Sequence, residues 1–265
     1  MIEMFNEIGN SLEYWLGEYK SINEIEKYKD ISSVQFDSLL RFLCSKIIPK
    51  TFLTLENARV HNVLNVFNYK WLVDLFCDLC EKCDKIPSTN SLYKFAGVDS
   101  IQIYNIKHKQ ISKENMNNLY YSLMDQADDS YISYVIDIIN LYCNANYTIN
   151  DIRKYNKEYS TQDNVVLNTM SNNIDNNKYS NINNIIDFYN ISYIVLNTII
   201  YNFNINREYM YRNILQDGKK NPVGTIAILN HDFGWNNQHS NMSASLETTT
   251  LSALPDFSDN TLKLE

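Results

Sequence analysis

Glycine and proline are scarce in this sequence, which has six glycines and four prolines among 265 residues. Strand-rich folds need many tight turns, and these two residue types form most of them. Long apolar runs are also missing: the longest, residues 191–200, is interrupted by Asn197 and falls well short of the roughly 20 residues that cross a bilayer. Because 45% of the residues are still hydrophobic, the sequence predicts a buried core in an all-α fold without a membrane span.

Motifs that bind phosphate groups or carry out catalysis are missing as well. The sequence has neither a Walker-type loop nor a paired-carboxylate motif, and the spacing of Gly and Lys around Gly224 does not suit a phosphate loop. Asn230, His231 and Asp232 are adjacent, so on a helix they point in different directions and seldom converge on one ion or substrate. We therefore expect neither an enzyme nor a cofactor. The acidic N-terminal residues do not form a signal peptide, so a cytoplasmic location is expected.

Three of the five cysteines follow one another at three-residue spacing, as Cys77, Cys80 and Cys83. Thiolates at such spacing can share a metal ion or an iron–sulfur cluster. However, the segment has helical apolar periodicity and no Gly or Pro to bend the chain around an ion, and a fourth ligand would have to come from Cys44 or His61. We therefore interpret the three cysteines as small hydrophobic core residues.

Apolar residues recur at helical spacing along most of the chain. The predicted helices lie within 1–30, over 33–48 ending before Pro49, over 63–83, from Ser112, from about Ser130, and over 185–215, the last as one helix or as two broken near Asn204. Residues 50–62 are expected to form a connection. The Asn-rich residues 156–181 have few apolar side chains to bury, so they are expected to form a mobile insertion, and residues 236–265 a disordered tail that could bind a partner.

Residues 85–111 have the spacing of a helix-turn-helix, in which a glycine turn joins two short helices. Ser88 or Thr89 can cap the first helix, and Gly97 can adopt the left-handed conformation of the turn. The apolar residues expected to face inward are Leu92, Ala96, Val98, Ile103 and Ile106. The helix over 63–83 is expected to pack behind both short helices. Tyr93 stands where this motif usually has a small residue, and the alternative is an αα-corner that only closes a helical core.

The second short helix would present polar side chains to the major groove of DNA. The candidate DNA-binding residues are Ser100, Gln102, Tyr104, Asn105, Lys107, His108 and Lys109. Between residues 85 and 113 there are five lysines and one acid, a local charge of +4 in a chain whose net charge is −8. A basic segment of this kind can contact phosphates. The sequence therefore predicts binding to double-stranded DNA.

A second informative segment, residues 216–235, contains three of the six glycines. Gly218 can end one helix in a left-handed conformation, and Pro222 can begin the next. Gly234 permits a turn between Phe233 and Trp235. The segment therefore predicts a short helix that ends in an aromatic turn.

Together the two segments resemble the small terminase subunits of tailed bacteriophages and the related helix-turn-helix proteins of prophages. The residues that carry the resemblance are Pro87, Leu92, Phe95, Gly97, Val98, Ile103 and Tyr104 in the first segment, and Asn221, Pro222, Gly224, Ile226, Leu229, Asn230, Gly234 and Trp235 in the second. In that family the helix-turn-helix usually runs almost directly into the helix before the second segment. Here residues 112–205 intervene.

The resemblance implies an adaptor without enzymatic activity, located in the cytoplasm of a bacterial host. Such a protein recognises viral DNA, assembles into a homo-oligomeric ring and recruits the large terminase subunit, which carries the ATPase and nuclease. The corresponding organisation is an N-terminal helical region 1–62, a helix-turn-helix domain 63–111, a helical oligomerisation region 112–235 and the tail 236–265. The alternatives are a dimeric transcriptional regulator of a phage or mobile element, and a helical virion or interaction protein that does not bind DNA.

Overall fold

The computed structural model describes residues 1–55, 63–153, 186–217 and 222–235. The helices are α1 (Ile2–Ile22), α2 (Ser33–Ile47), α3 (Val66–Lys82), α4 (Thr89–Ala96), α5 (Ser100–Lys107), α6 (Lys113–Gln126), α7 (Asp129–Cys143), α8 (Phe188–Asp217) and α9 (Pro222–Phe233). Within the described ranges the only strands are β1 (Thr54–Leu55) and β2 (Val63–Leu64), which pair antiparallel with Thr54 opposite Leu64. The predicted all-α fold is confirmed.

Side-chain caps fix where most of these helices begin. Ser32 forms a reciprocal capping box with Gln35 at the start of α2, and Ser88 accepts a hydrogen bond from the Ser91 N–H at the start of α4. Ser112 caps α6 in the same way, as predicted, and Asp128 caps α7. Each cap satisfies an amide that the first helical turn leaves without a partner.

The start of one predicted helix differs from the structure. The helix expected from residue 63 begins at Val66, because Val63 and Leu64 pair with β1 instead. The alternatives of one helix or two broken near Asn204 are decided in favour of one continuous helix, α8. The expected mobile insertion at 156–181, the tail at 236–265 and the cap at Gly218 lie outside the described residues.

The chain divides into two compact units, Met1–Arg207 and Glu208–Glu265. The predicted regions 1–62 and 63–111 both lie within the first unit. At the centre of its core the Phe76 ring of α3 lies 5.7 Å from the Phe95 ring of α4 and 6.3 Å from the Phe203 ring of α8, between ring centroids. Phe76 of α3 therefore connects the first helix of the helix-turn-helix segment to α8, which is distant in sequence.

A buried polar network holds the N-terminus of α3. The Asn65 side chain caps this helix through Oδ1 and donates from Nδ2 to the Tyr131 hydroxyl of α7. That hydroxyl donates to Asn68 Oδ1 at 2.7 Å, and Asn68 Nδ2 donates to the Thr51 carbonyl at 2.7 Å. Buried polar groups are costly unless they are paired, so this network fixes α3 relative to α7 and to the chain before β1.

Cys77 and Cys80 of α3, and Cys83 directly after it, contribute to the core. Cys80 and Cys83 are buried and Cys77 is half-buried. Burial raises the pKa of the Cys77 and Cys83 thiols to about 11, which keeps them neutral. In the part of the chain that the structure describes, no three His, Cys, Asp or Glu side chains are grouped so that they could hold a metal ion. The cysteines occupy the positions expected of small hydrophobic residues.

The second unit contains the end of α8 and all of α9. Trp235 donates from Nε1 to Glu208 Oε1 at 3.0 Å, and the Arg212 guanidinium lies 5.0 Å from the centre of the Trp235 ring while it also pairs with Glu208. Pro222 begins α9, and Gly234 has the predicted left-handed conformation, with φ of 68°. Gly224 lies inside α9, where a Cβ would meet no atom within 4 Å. The aromatic turn is therefore held in place by the contact of Arg212 with the Trp235 ring and by the hydrogen bond from Trp235 to Glu208.

None of the described helices combines the length and the apolar character needed to cross a membrane.

Candidate nucleic-acid interface

The turn between α4 and α5 has the conformation that a helix-turn-helix requires. Gly97 adopts φ 61° and ψ 24°, and its N–H donates to the Tyr93 carbonyl at 2.9 Å. A Cβ at this position would lie 3.4 Å from the Cys44 sulfur of α2. Asp99 then caps α5 by accepting a hydrogen bond from the Ile101 N–H at 3.0 Å. The glycine allows both the left-handed turn and its close approach to α2.

The inward faces of the two short helices are apolar, as the sequence predicts. Ile103 and Ile106 of α5 are buried, and so are Leu92, Phe95 and Ala96 of α4. α4 packs against both α2 and α3, and α5 lies beside β2. The expected packing of α3 behind α4 is therefore present, and α2 also supports the pair, with its C-terminal end beside the turn at Gly97.

The opposite side of α5 forms a continuous exposed stripe. At about 100° per residue, the positions that face away from Ile103 and Ile106 are Ile101, Tyr104, Asn105 and His108, and we call these four residues the outward stripe. Ile101 is 61% exposed and Tyr104 is 51% exposed, while Asn105 is half-buried and His108 is exposed. The Tyr104 and His108 rings lie 4.2 Å apart. Three of the predicted DNA-binding residues therefore share one face.

Ser100 and Gln102 flank the outward stripe at the start of α5, with Ser100 exposed and Gln102 half-buried. Lys107 lies on the flank nearer the core. It is exposed, and it also lines a cleft of about 200 Å³ together with Tyr93 of α4 and Asn204 of α8. The large side chain of Tyr93 is half-buried at the wall of this cleft, and the turn at Gly97 forms in its presence.

Lys109 lies just beyond α5 and contacts only neutral groups. Its backbone is left-handed, with φ of 53°. Its ammonium donates to Asn190 Oδ1 at 3.3 Å and lies 4.8 Å from the centre of the Tyr193 ring of α8. Cation–π and amide contacts position an ammonium group without neutralising it. These contacts place the Lys109 ammonium beyond the C-terminal end of α5 without an acidic partner among them.

Two other lysines of the basic segment are neutralised by distant acids. Lys94 pairs with Asp37 of α2 at 2.6 Å, and Lys113 pairs with Asp187 at 2.7 Å. Burial acts to raise the pKa of Asp187, but the hydrogen bond and charge of Lys113 hold it below its ordinary value. The two ion pairs therefore reduce the positive potential that the sequence predicts for residues 85–113.

The other two lysines near α5 are not paired in this way. Among the described residues neither Lys107 nor Lys109 has an acidic partner within 4.0 Å.

Ile101 lies on the outward stripe but was not among the residues predicted from the sequence. Its spacing could have identified it, because a residue two places before Ile103 and five places before Ile106 lies on the opposite, outward face of the helix. Single exposed aliphatic side chains are common on protein surfaces, so Ile101 enters the candidate site through its place on the outward stripe and not through its exposure alone.

The second predicted cluster does not form a comparable site. His231 Nδ1 lies 2.8 Å from Asp232 Oδ1, and His231 is 89% exposed. Asn230 is half-buried on α9. Among the described residues, His231 and Asp232 are not grouped with a third His, Cys, Asp or Glu side chain that could hold a metal ion with them, and α5 remains the candidate site. Comparison of the chain with protein-family models, with curated proteins and with solved structures finds no match.

Proposed function

We propose that this protein is a DNA-binding adaptor without enzymatic activity, the small subunit of a phage terminase, which binds viral DNA through α5 and recruits the large subunit. One observation carries the DNA-binding part: the α4–Gly97–α5 turn leaves the outward stripe exposed, with two uncompensated lysines at its end. The terminase role rests on the resemblance of residues 85–111 and 216–235 to that family.

The proposed contacts divide into two kinds. Asn105 and its neighbours on the outward stripe would meet base edges in the major groove, while Lys107 and Lys109 would contact phosphates. An eight-residue helix with one lysine of its own and a second just beyond its end is a weak binding module by itself. Assembly into a ring would place several copies of α5 on one duplex and raise the effective affinity.

A second candidate function is supported by the exposed apolar side chains. Ile101 and Tyr104 would suit a protein partner as well as a duplex, and the ion pairs of Lys94 and Lys113 weaken the electrostatic attraction to DNA. A helical interaction protein with no affinity for DNA is therefore the competing hypothesis.

Fluorescence anisotropy with a labelled duplex distinguishes the two functions. Lys107→Glu/Lys109→Glu should weaken binding by at least about tenfold and flatten its dependence on salt concentration, because two phosphate contacts are lost. The matched control is Lys27→Glu/Lys29→Glu, a pair of exposed lysines with the same spacing outside the site. An equal loss of duplex affinity in both variants would contradict a DNA interface at Lys107 and Lys109. If the unmodified chain does not bind the duplex at all, the interaction protein is favoured.

A further inference from the structure

The side chains that α5 offers to DNA have an unusual chemical bias. The outward stripe contains no arginine, and Lys107, the cation of α5, lies on its flank. Asp99, the nearest acid, is engaged in capping, since it accepts hydrogen bonds from the Ile101 N–H and the Ser100 hydroxyl. Guanine is read mostly by arginine or lysine, and cytosine by glutamate or aspartate. The groups suited to G·C pairs are therefore missing from the centre of this face or are already occupied.

The groups suited to A·T pairs are present at the centre. A carboxamide such as that of Asn105 can pair with adenine N6 and N7, and an exposed aliphatic side chain such as that of Ile101 can contact the 5-methyl group of thymine. Residues four apart on a helix have Cβ atoms about 5–6 Å apart, close enough to meet neighbouring base pairs. Gln102, which precedes Asn105 by one helical turn on the flank, provides a second carboxamide.

Tyr104 adds an apolar surface beside these two residues. It is 51% exposed, and its ring lies against His108, 4.2 Å away between ring centroids. An aromatic side chain supported by a neighbouring ring loses little conformational freedom on binding. The stripe thus presents two apolar groups, Ile101 and Tyr104, followed by the amide of Asn105.

We infer that α5 recognises A·T base pairs in the major groove, with Ile101 contacting a thymine methyl group and Asn105 pairing with the adjacent adenine. This inference rests on the proposed DNA-binding function. It assigns Ile101, in the first turn of the helix, as a specificity-determining residue.

The first test is selection of bound duplexes from a library with a randomised central segment, using the full chain. Enrichment of adjacent A·T pairs is expected, and Asn105→Ala should lose the preference at one position. Enrichment of G·C pairs, or retention without any enrichment, would overturn the inference while leaving DNA binding intact. If no duplex is retained at all, the proposed function itself fails.

The second test removes single methyl groups from the selected duplex by replacing thymine with uracil. The unmodified chain should lose about three- to tenfold in affinity at one thymine, whereas Ile101→Ala should bind both duplexes equally. Because uracil also alters duplex flexibility, the test compares the affinity that the unmodified protein loses on this replacement with the affinity that Ile101→Ala loses. The control Val34→Ala removes an 81% exposed aliphatic side chain from α2 and should retain the discrimination. Equal sensitivity of unmodified protein and Ile101→Ala to uracil would overturn the assignment of Ile101.

Discussion

Lys113 and Asp187 connect the first turn of α6 to the start of α8. Asp187 directly precedes α8 and its carboxylate accepts a hydrogen bond from Asn190 Nδ2 at 2.7 Å as well as pairing with Lys113. Since this pairing holds the pKa of Asp187 below its ordinary value of 3.8, the pair stabilises the fold above that pH. The contribution is lost as the pH falls through the lowered pKa.

Asp187→Asn tests this contribution, because asparagine keeps a capping oxygen but loses the charge. At pH 7 the substitution should lower the free energy of unfolding by up to about 1 kcal/mol, the range of a partly exposed pair. At pH 3 or below the difference from the unmodified protein should shrink. Urea unfolding at both pH values provides the measurement, and an equal difference at both would mean that the charge of Asp187 does not stabilise the fold.

The turn between α4 and α5 is the element on which the interface depends. An alanine at Gly97 would have to adopt a φ of 61° and would place its Cβ 3.4 Å from the Cys44 sulfur. The left-handed conformation alone costs a non-glycine residue about 1–2 kcal/mol. Gly97→Ala should therefore destabilise the protein by at least that amount and weaken DNA binding by tilting α5.

Gly17→Ala is the matched control for this substitution. Gly17 lies within α1, where a Cβ would meet no atom within 4 Å, so alanine should stabilise the helix by about 0.5–1 kcal/mol. Thermal unfolding of both variants gives the comparison. Equal effects at the two glycines would show that the turn does not need a left-handed residue.

Local sequence patterns were sufficient to predict most elements of the first unit. The cap at Ser112, the end of α2 before Pro49 and the glycine turn at Gly97 depend on neighbouring residues, so they could be read from the chain. The β1–β2 pair and the ion pair between Lys94 and Asp37, which are 57 residues apart, depend on tertiary packing. Counting charges along the sequence therefore overestimated the positive surface around α5.

At the scale of the whole molecule, the two short helices and their glycine turn are part of a larger helical core. α2 supports the turn at Gly97, and α8 contributes Phe203 behind α4 and positions Lys109 through Asn190. The N-terminal helices are thus part of the structure that holds the interface. The role of residues 1–62 had no explanation in the sequence, because only the folded chain shows that α2 contacts α4.

The number of copies in solution separates the two DNA-binding hypotheses. The terminase role predicts a closed ring of many identical chains, whereas a transcriptional regulator would form a dimer that matches two half-sites. Native mass spectrometry of the full chain measures this number directly. A discrete assembly of more than two copies is expected, a dimer would favour the regulator, and a monomer at all concentrations would contradict both.

The most direct test of the central claim is a crosslink from α5 to DNA. Replacing Tyr104 with the photoreactive residue p-benzoylphenylalanine places the probe on the outward stripe, and replacing Tyr14, which is 70% exposed on α1, places it elsewhere on the same unit. After irradiation with a duplex, we predict a covalent protein–DNA adduct from position 104 and none from position 14. An adduct from position 14 alone, or from neither position, would contradict the claim that α5 binds DNA.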